Sequence, residues 1–162
     1  MSPEVSIEEE VGTLLRRKGL TLGVVESASG GLISHRITNV PGSSDYYKGS
    51  VTAYSNQVKS KVVGVSEDTI NQYGAVSPQV AEEMAQGGRK LLAADICLAD
   101  TGIAGPSGAT PGKPVGLFYI GLSHGERTYS RKHIFQGDRE QNKQSAAETA
   151  LGWLKEYLIS LK

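Results

Sequence analysis

The chain has 162 residues with 17 basic and 17 acidic side chains, so its formal net charge is zero, and no global field attracts nucleic acid or an anionic membrane. One cysteine, Cys97, excludes an internal disulfide and reads as a small core residue, and three scattered histidines (His35, His124, His133) give no metal-ligand spacing. With neither the apolar core of a signal peptide nor an apolar run of membrane-spanning length, the expectation is a cytoplasmic globular chain forming one domain over residues 1–162.

Ser6-Ile7-Glu8-Glu9 has capping-box form, and Val11, Leu14 and Leu15 recur at helical spacing until Gly19, predicting a first helix. Leu20 to Glu26 reads as a strand, Gly30 to Thr38 as a helix, and Pro41 to Ser44 as a turn. A second strand is predicted over Ser50–Tyr54, a short helix through Val58 and Val62, and another near Ser66–Tyr73. Ser77-Pro78 opens a long helix to about Leu92, with proline at the first helical position. Ile96–Thr101 is a third strand, followed by the loop TGIAGPSGATPGKP, with four glycines and three prolines in fourteen residues. Val115–Ser123 and Arg127–Phe135 flank a turn at His124-Gly125-Glu126, and a helix over Arg139–Ile159 closes the chain.

Early alternation of strand and helix followed by a late hairpin predicts an α/β fold. The expected form is a three-layer α/β/α domain, with a mixed, mostly parallel sheet and an antiparallel hairpin near its end. Loops as long and unstructured as the Gly/Pro segment are commonly functional or disordered.

The stretch VVESASGG, residues 24–31, carries the first candidate chemistry. Ligands of open α/β sheets bind beyond the carboxyl ends of strands, where helix N-termini offer unpaired N–H groups. Ser27, Ala28, Ser29, Gly30 and Gly31 fall there. Two readings stand: a serine that caps the following helix, or a nucleophile beside backbone donors for an oxyanion. The stretch is neither G-x-S-x-G nor G-x-G-x-x-G, so neither of those families is supported.

A serine nucleophile needs a base, and no histidine falls near this junction. Lysine can serve where burial lowers its pKa. Beyond the second strand lies Ser55-Asn56-Gln57-Val58-Lys59-Ser60-Lys61. On a helix Ser55 and Lys59 share a face, with Lys61 pointing elsewhere; the ordinary reading of Lys59 is a solvated helix lysine. Thr101-Gly102-Ile103-Ala104-Gly105 ends the third strand with further backbone donors. Asp138 can cap the last helix, and Arg139 can bind a phosphate or carboxylate. Together these residues outline a pocket for a small anionic molecule.

VESASGG, VPGSSDYYKGSVTAYSNQVK, YGAVSPQVAEEMAQGGRKLLAAD, TGIAGPSGATPGKPVG and FQGDRE, in this order and spacing, resemble the CinA C-terminal domain family over almost the whole chain. Active members of that family are nicotinamide-nucleotide amidohydrolases. They convert nicotinamide mononucleotide (NMN) and water to nicotinate mononucleotide and ammonia, without metal or cofactor, in pyridine-nucleotide recycling. The resemblance implies Ser27 as nucleophile, Lys59 as general base and Tyr54 in support. It places Glu26, Ala28, Ser29, Gly30, Gly31, Asn56, Thr101, Gly102, Ala104, Gly105 and Arg139 around the substrate. It has Arg139 and Asn56 holding the phosphate or ribose, and gives Glu26 no role beyond orienting the turn or its neighbours. Assembly as a homo-oligomer is also implied.

Two departures accompany the resemblance. The family's usual A-E-S-C-T-G-G is here Val25-Glu26-Ser27-Ala28-Ser29-Gly30-Gly31, so a cysteine becomes Ala28 and a threonine becomes Ser29. Longer CinA proteins carry a preceding nucleotide-hydrolysing domain that this sequence does not contain, so their ADP-ribose chemistry is not expected of it. A non-catalytic nucleotide- or partner-binding module, or an amidase for another small amide, are the competing readings.

Overall fold

Side chains alternate across a strand, and this period decides the layering. In β1 (Leu22–Glu26), Leu22 and Val24 enter one apolar cluster while Val25 enters another on the opposite face. β3 (Ile96–Gly102) divides in the same way, with Ile96 and Leu98 on the first face and Cys97 and Ala99 on the second. A sheet apolar on both faces needs a helical layer on each. The computed structural model, which describes residues 4–162, supplies both.

Three helices cover the first face: α1 (Ile7–Lys18), α2 (Leu32–Thr38) and α6 (Arg139–Ser160). They contribute Val11, Leu15, Ile33, Ile37, Leu151 and Leu154 to its cluster. Ser6 caps α1 by accepting from the Glu9 N–H, and Gly19 closes it in the left-handed conformation. On the second face lies α5 (Pro78–Leu91), capped by Ser77, with Val80, Met84 and Ala85 against the sheet. α5 packs so close that a Cβ on Gly88 would lie 2.3 Å from Val25, and one on Gly121 would lie 2.3 Å from the Ala81 carbonyl. Only glycine admits such an approach.

The five strands lie in the order β2-β1-β3-β4-β5, with β2 at Tyr47–Thr52, β4 at Leu117–His124 and β5 at Arg127–Ile134. β1 pairs in parallel with β2 and β3, while β4 runs antiparallel to β3 and β5 antiparallel to β4. Four strands therefore point one way and β4 alone opposes them. The carboxyl ends of β1, β2 and β3 consequently meet along one rim.

Boundaries differ from expectation at two places that matter for this rim. β2 begins at Tyr47 rather than Ser50, because its register slips where Leu22 faces Tyr47 but Gly23 faces Gly49. Gly49 has φ 141°, and such a bulge hides the alternation from a sequence pattern. β2 also stops at Thr52, which leaves Tyr54 in the following loop. Second, the short helix α3 (Asn56–Val58) passes into one π-helical turn, Lys59–Val63. Beyond it, α4 (Glu67–Tyr73) leads to α5. Among the described residues, no helix is long and apolar enough to cross a membrane.

Candidate active site

The β1–α2 junction is held by carboxylates. α2 has Gly31 at its cap position, in the left-handed conformation, and no side-chain cap there. Neither Ser27 nor Ser29 takes that role. Glu26, fully buried, takes it instead: Oε1 accepts the Ile33 N–H at 2.8 Å and Oε2 the Ser34 N–H at 3.0 Å. An acidic group at a helix N-terminus is favourable to both. The capping reading of the serines is thereby corrected, and Glu26 orients the turn from behind.

Ser27 and Ser29 point to opposite sides of this turn. Ser29 is buried and touches Glu26 at 2.7 Å and Asp100 more closely still. Asp100 also accepts the N–H groups of Ser27 (3.1 Å) and Ser29 (3.0 Å). Burial is the main cause that pushes the Asp100 carboxyl up to about 6 from 3.8. Ser27 instead faces a cleft of about 300 Å³, at the lower end of the range of small-ligand pockets.

In that cleft Lys59 Nζ stands 2.9 Å from Ser27 Oγ and 3.1 Å from the Tyr54 carbonyl oxygen. The lysine is only 2% exposed, which corrects the solvated-lysine reading. The π-helical turn that starts at Lys59 sends it inward, whereas Lys61 stays exposed. Such turns are often found at functional sites. Burial lowers the Lys59 pKa below 10.5, and the nearby Asp100 opposes that shift. Among the described residues, no carboxylate makes a salt bridge with it. A buried amine with a lowered pKa, in contact with a serine hydroxyl, can take that hydroxyl's proton.

The rest of the cleft comes from the β1–α2 turn, the loops after β2, α4 and β3, and the start of α6. Ala28, Tyr54, Asn56, Thr101, Gly102, Ala104 and Arg139, all anticipated, line it with Ser27 and Lys59. Arg139, at the first position of α6, donates to the Gly105 carbonyl at 2.7 Å and to the Tyr54 hydroxyl at 3.2 Å. Glu26, Ser29, Gly30, Gly31 and Gly105 do not line it. The first two face the buried side of the turn, and the Gly105 carbonyl is bound to Arg139.

Ala75, Val76, Ile103, Ser107 and Gly108, which the sequence reading did not name as site residues, also line the cleft, and two residues behind it escaped that reading as well. Asp100 anchors the serine turn, as described. Asn142, fully buried in α6, donates to the Ala104 carbonyl at 3.0 Å and accepts the Gly137 N–H at 2.9 Å. It joins the long glycine loop to the start of the arginine helix. A charged residue inside the apolar strand ICLADTG was a readable signal for Asp100; an asparagine within a polar helix start was none for Asn142.

Fold and cleft define an α/β protein that pairs a serine with a buried lysine at the carboxyl rim of parallel strands. A sequence model of the CinA C-terminal domain matches residues 4–158, and the chain belongs to that family. A protein of Halothermothrix orenii named for competence and damage induction is 52% identical over 158 residues, 96% of this chain and 38% of its own length. A CinA-like protein of Salinibacter ruber is 47% identical over 148 residues, 91% of this chain and 36% of its own. The chain thus spans under two fifths of the length of these relatives.

Solved structures agree with the fold along the full chain. The competence damage-inducible protein A of Klebsiella pneumoniae superposes with a TM-score of 0.94 at 29% identity, over 96% of this chain and 97% of that one. The competence/damage inducible protein CihA from Agrobacterium tumefaciens gives 0.90 at 32% identity, over 99% and 100%.

Proposed function

We propose that the chain is an amidohydrolase that converts NMN and water to nicotinate mononucleotide and ammonia through an acyl-enzyme on Ser27. The observation that carries this reading is the 2.9 Å contact between Ser27 Oγ and the buried Lys59 Nζ. Burying an amine without a carboxylate partner is unfavourable, and its contact with the Ser27 hydroxyl gives that amine a use as the hydroxyl's base.

Ser27 Oγ attacks the carboxamide carbon while its proton passes to the neutral Lys59 amine. The Lys59–Tyr54 carbonyl contact keeps the amine oriented during this transfer. Negative charge then gathers on the former carbonyl oxygen. Of the turn's amides, those of Ser27 and Ser29 are bound to Asp100 and that of Gly30 to the Ser27 carbonyl. Ala28 lines the cleft, and its N–H has no protein acceptor among the described residues, so it is the oxyanion donor of this turn. Collapse breaks the C–N bond, with Lys59 returning its proton to the departing nitrogen, and ammonia leaves. Water, deprotonated by Lys59, then cleaves the ester and restores the Ser27 hydroxyl. No step needs a metal or a cofactor.

Arg139 binds the nucleotide phosphate in this reading. Its two contacts to Gly105 and Tyr54 leave donors of the guanidinium available and fix the side chain at the cleft mouth. Asn56, which lines the same cleft, binds the ribose.

Ammonia release from NMN, measured for wild type, Ser27→Ala and Lys59→Ala in the presence of a chelator, tests the proposal. Release by wild type that survives chelation and vanishes in both variants supports it. If wild type releases none while NMN still raises its thermal stability, the binding-module reading takes its place.

A further inference from the structure

Behind the proposed nucleophile, three side-chain oxygens hold too few protons for their contacts. Ser29 Oγ is 2.7 Å from Glu26 Oε1 and in still closer contact with Asp100 Oδ1. A hydroxyl carries one proton and can donate it to only one carboxylate. Every other donor at these carboxyls is a backbone N–H. Glu26 receives those of Ile33 and Ser34, and Asp100 those of Ser27 and Ser29. With both carboxylates ionised, one of the two contacts sets a lone pair of Ser29 against a negative oxygen in a site closed to water. A second proton turns both contacts into hydrogen bonds.

We propose that Glu26, Ser29 and Asp100 form a proton-sharing carboxyl pair that positions the nucleophile turn, one proton being held between the two carboxyls through the Ser29 hydroxyl. This role for the pair rests on the Ser27–Lys59 reading; the proton itself does not. Asp100 and Glu26 are both fully buried, and two carboxyls in one dry site do not readily ionise together. The pair matters to the turn because Asp100 binds the Ser27 and Ser29 amides, while Ala28 between them lines the cleft and its N–H has no protein acceptor among the described residues. It also matters to the base, since a proton on Asp100 removes charge that otherwise favours the ammonium form of Lys59.

The charged and titratable surroundings are few. Lys59 approaches from the π-helical turn, and β2 brings Tyr47, whose hydroxyl donates to Ser34. From α6 come Arg139, bound to Gly105 and Tyr54, Glu140, and Lys143, whose amine lies over Gly30. α2 places no acid in its first turn; its His35 and Arg36 stand in the last turn, with Arg36 paired to Glu8 and Glu148. Opposite Asp100 in β4 is Ile120.

Infrared spectroscopy of the whole chain, titrated with pH in light and heavy water, tests the proposal. A protonated-carboxyl stretch is expected in wild type that outlasts the range of free aspartate and glutamate, persisting above about pH 5. It should shift on deuteration, disappear in both Asp100→Asn and Glu26→Gln, and persist in Ser29→Thr, which keeps the hydroxyl. The wild-type spectrum does not depend on any variant folding. A wild type without such a stretch above about pH 5, or a stretch that survives both carboxyl substitutions, overturns the proposal. Ammonia release is no part of this readout, so an inactive wild type that retains the stretch would remove the amidohydrolase reading and leave the proton pair standing.

Discussion

On the cleft side of the Ser27–Ser29 turn, a hydroxyl meets a buried amine; on the far side, two residues on, a hydroxyl meets two buried carboxyls. Lys59 and Asp100 are both buried, and burial moves each pKa toward neutrality, but in opposite directions. Burial lowers Lys59 and raises Asp100. The difference lies in what each group is free to do. Asp100 is engaged by two backbone amides and a hydroxyl, so its geometry is fixed. Lys59 touches one carbonyl and one hydroxyl and faces a cleft, so it can exchange a proton with something that enters. In the proposed reading the first arrangement is a scaffold and the second a reactive site.

Removing either side chain of the Ser27–Lys59 contact should have the largest effect. Ser27→Ala and Lys59→Met should each lower ammonia release from NMN by at least about a thousandfold, as loss of a nucleophile or its base does elsewhere. Lys59→Met should also unfold at a temperature no lower than wild type, because a thioether needs no desolvation of charge. Thermal melts beside the rate assay check both halves. A Lys59→Met protein that keeps its activity would make the amine a structural feature only.

Arg139→Gln should act on binding rather than on chemistry. KM for NMN should rise about 10–100-fold with kcat little changed, the size expected for charge-assisted hydrogen bonds. The riboside, which has no phosphate, should not respond; steady-state kinetics on both substrates separate the cases.

Stability against pH distinguishes the two sides by sign. For Asp100 the folded value of about 6 lies above 3.8, so its contribution is full below 3.8 and is lost as pH rises through about 6. The loss is on the order of 3 kcal/mol, and Asp100→Asn should flatten the curve in that window. For Lys59 the folded value lies below 10.5, so stability rises as pH climbs from that lowered value toward 10.5, and Lys59→Met removes the rise. Denaturant unfolding across pH measures both slopes. The smallest effect should come from Lys61→Ala, an exposed neighbour two residues from the base, with stability within about 0.5 kcal/mol and activity unchanged.

Much of the layering was legible in the sequence. Apolar runs in β1 and β3, the Ser77-Pro78 start of α5 and the hairpin turn at Gly125 all carry local signals that tertiary packing respects. The nucleophile turn was legible as a place, but not as a role. Whether a serine caps a helix or faces a cleft depends on who else caps it, and Glu26 does so only because β1 and α2 meet at that angle. Lys59 was hidden for a related reason. A lysine in a short polar helix looks solvated, and the single π-helical turn that rotates it inward leaves no periodic trace. Its pairing with Ser27 came from family resemblance, not from spacing. Asp100 carried a signal, a carboxylate in an apolar strand end, whose meaning needs the parallel pairing of β1 and β3 to bring it beside Ser29.

Rapid acid quench of NMN turnover followed by peptide mass analysis is the sharpest probe of an acyl intermediate on Ser27 with Lys59 as its base. A nicotinate-mononucleotide ester is expected on the peptide that contains Ser27, absent from Lys59→Ala. Turnover that leaves the adduct on another residue, or that continues in Ser27→Ala, would contradict it.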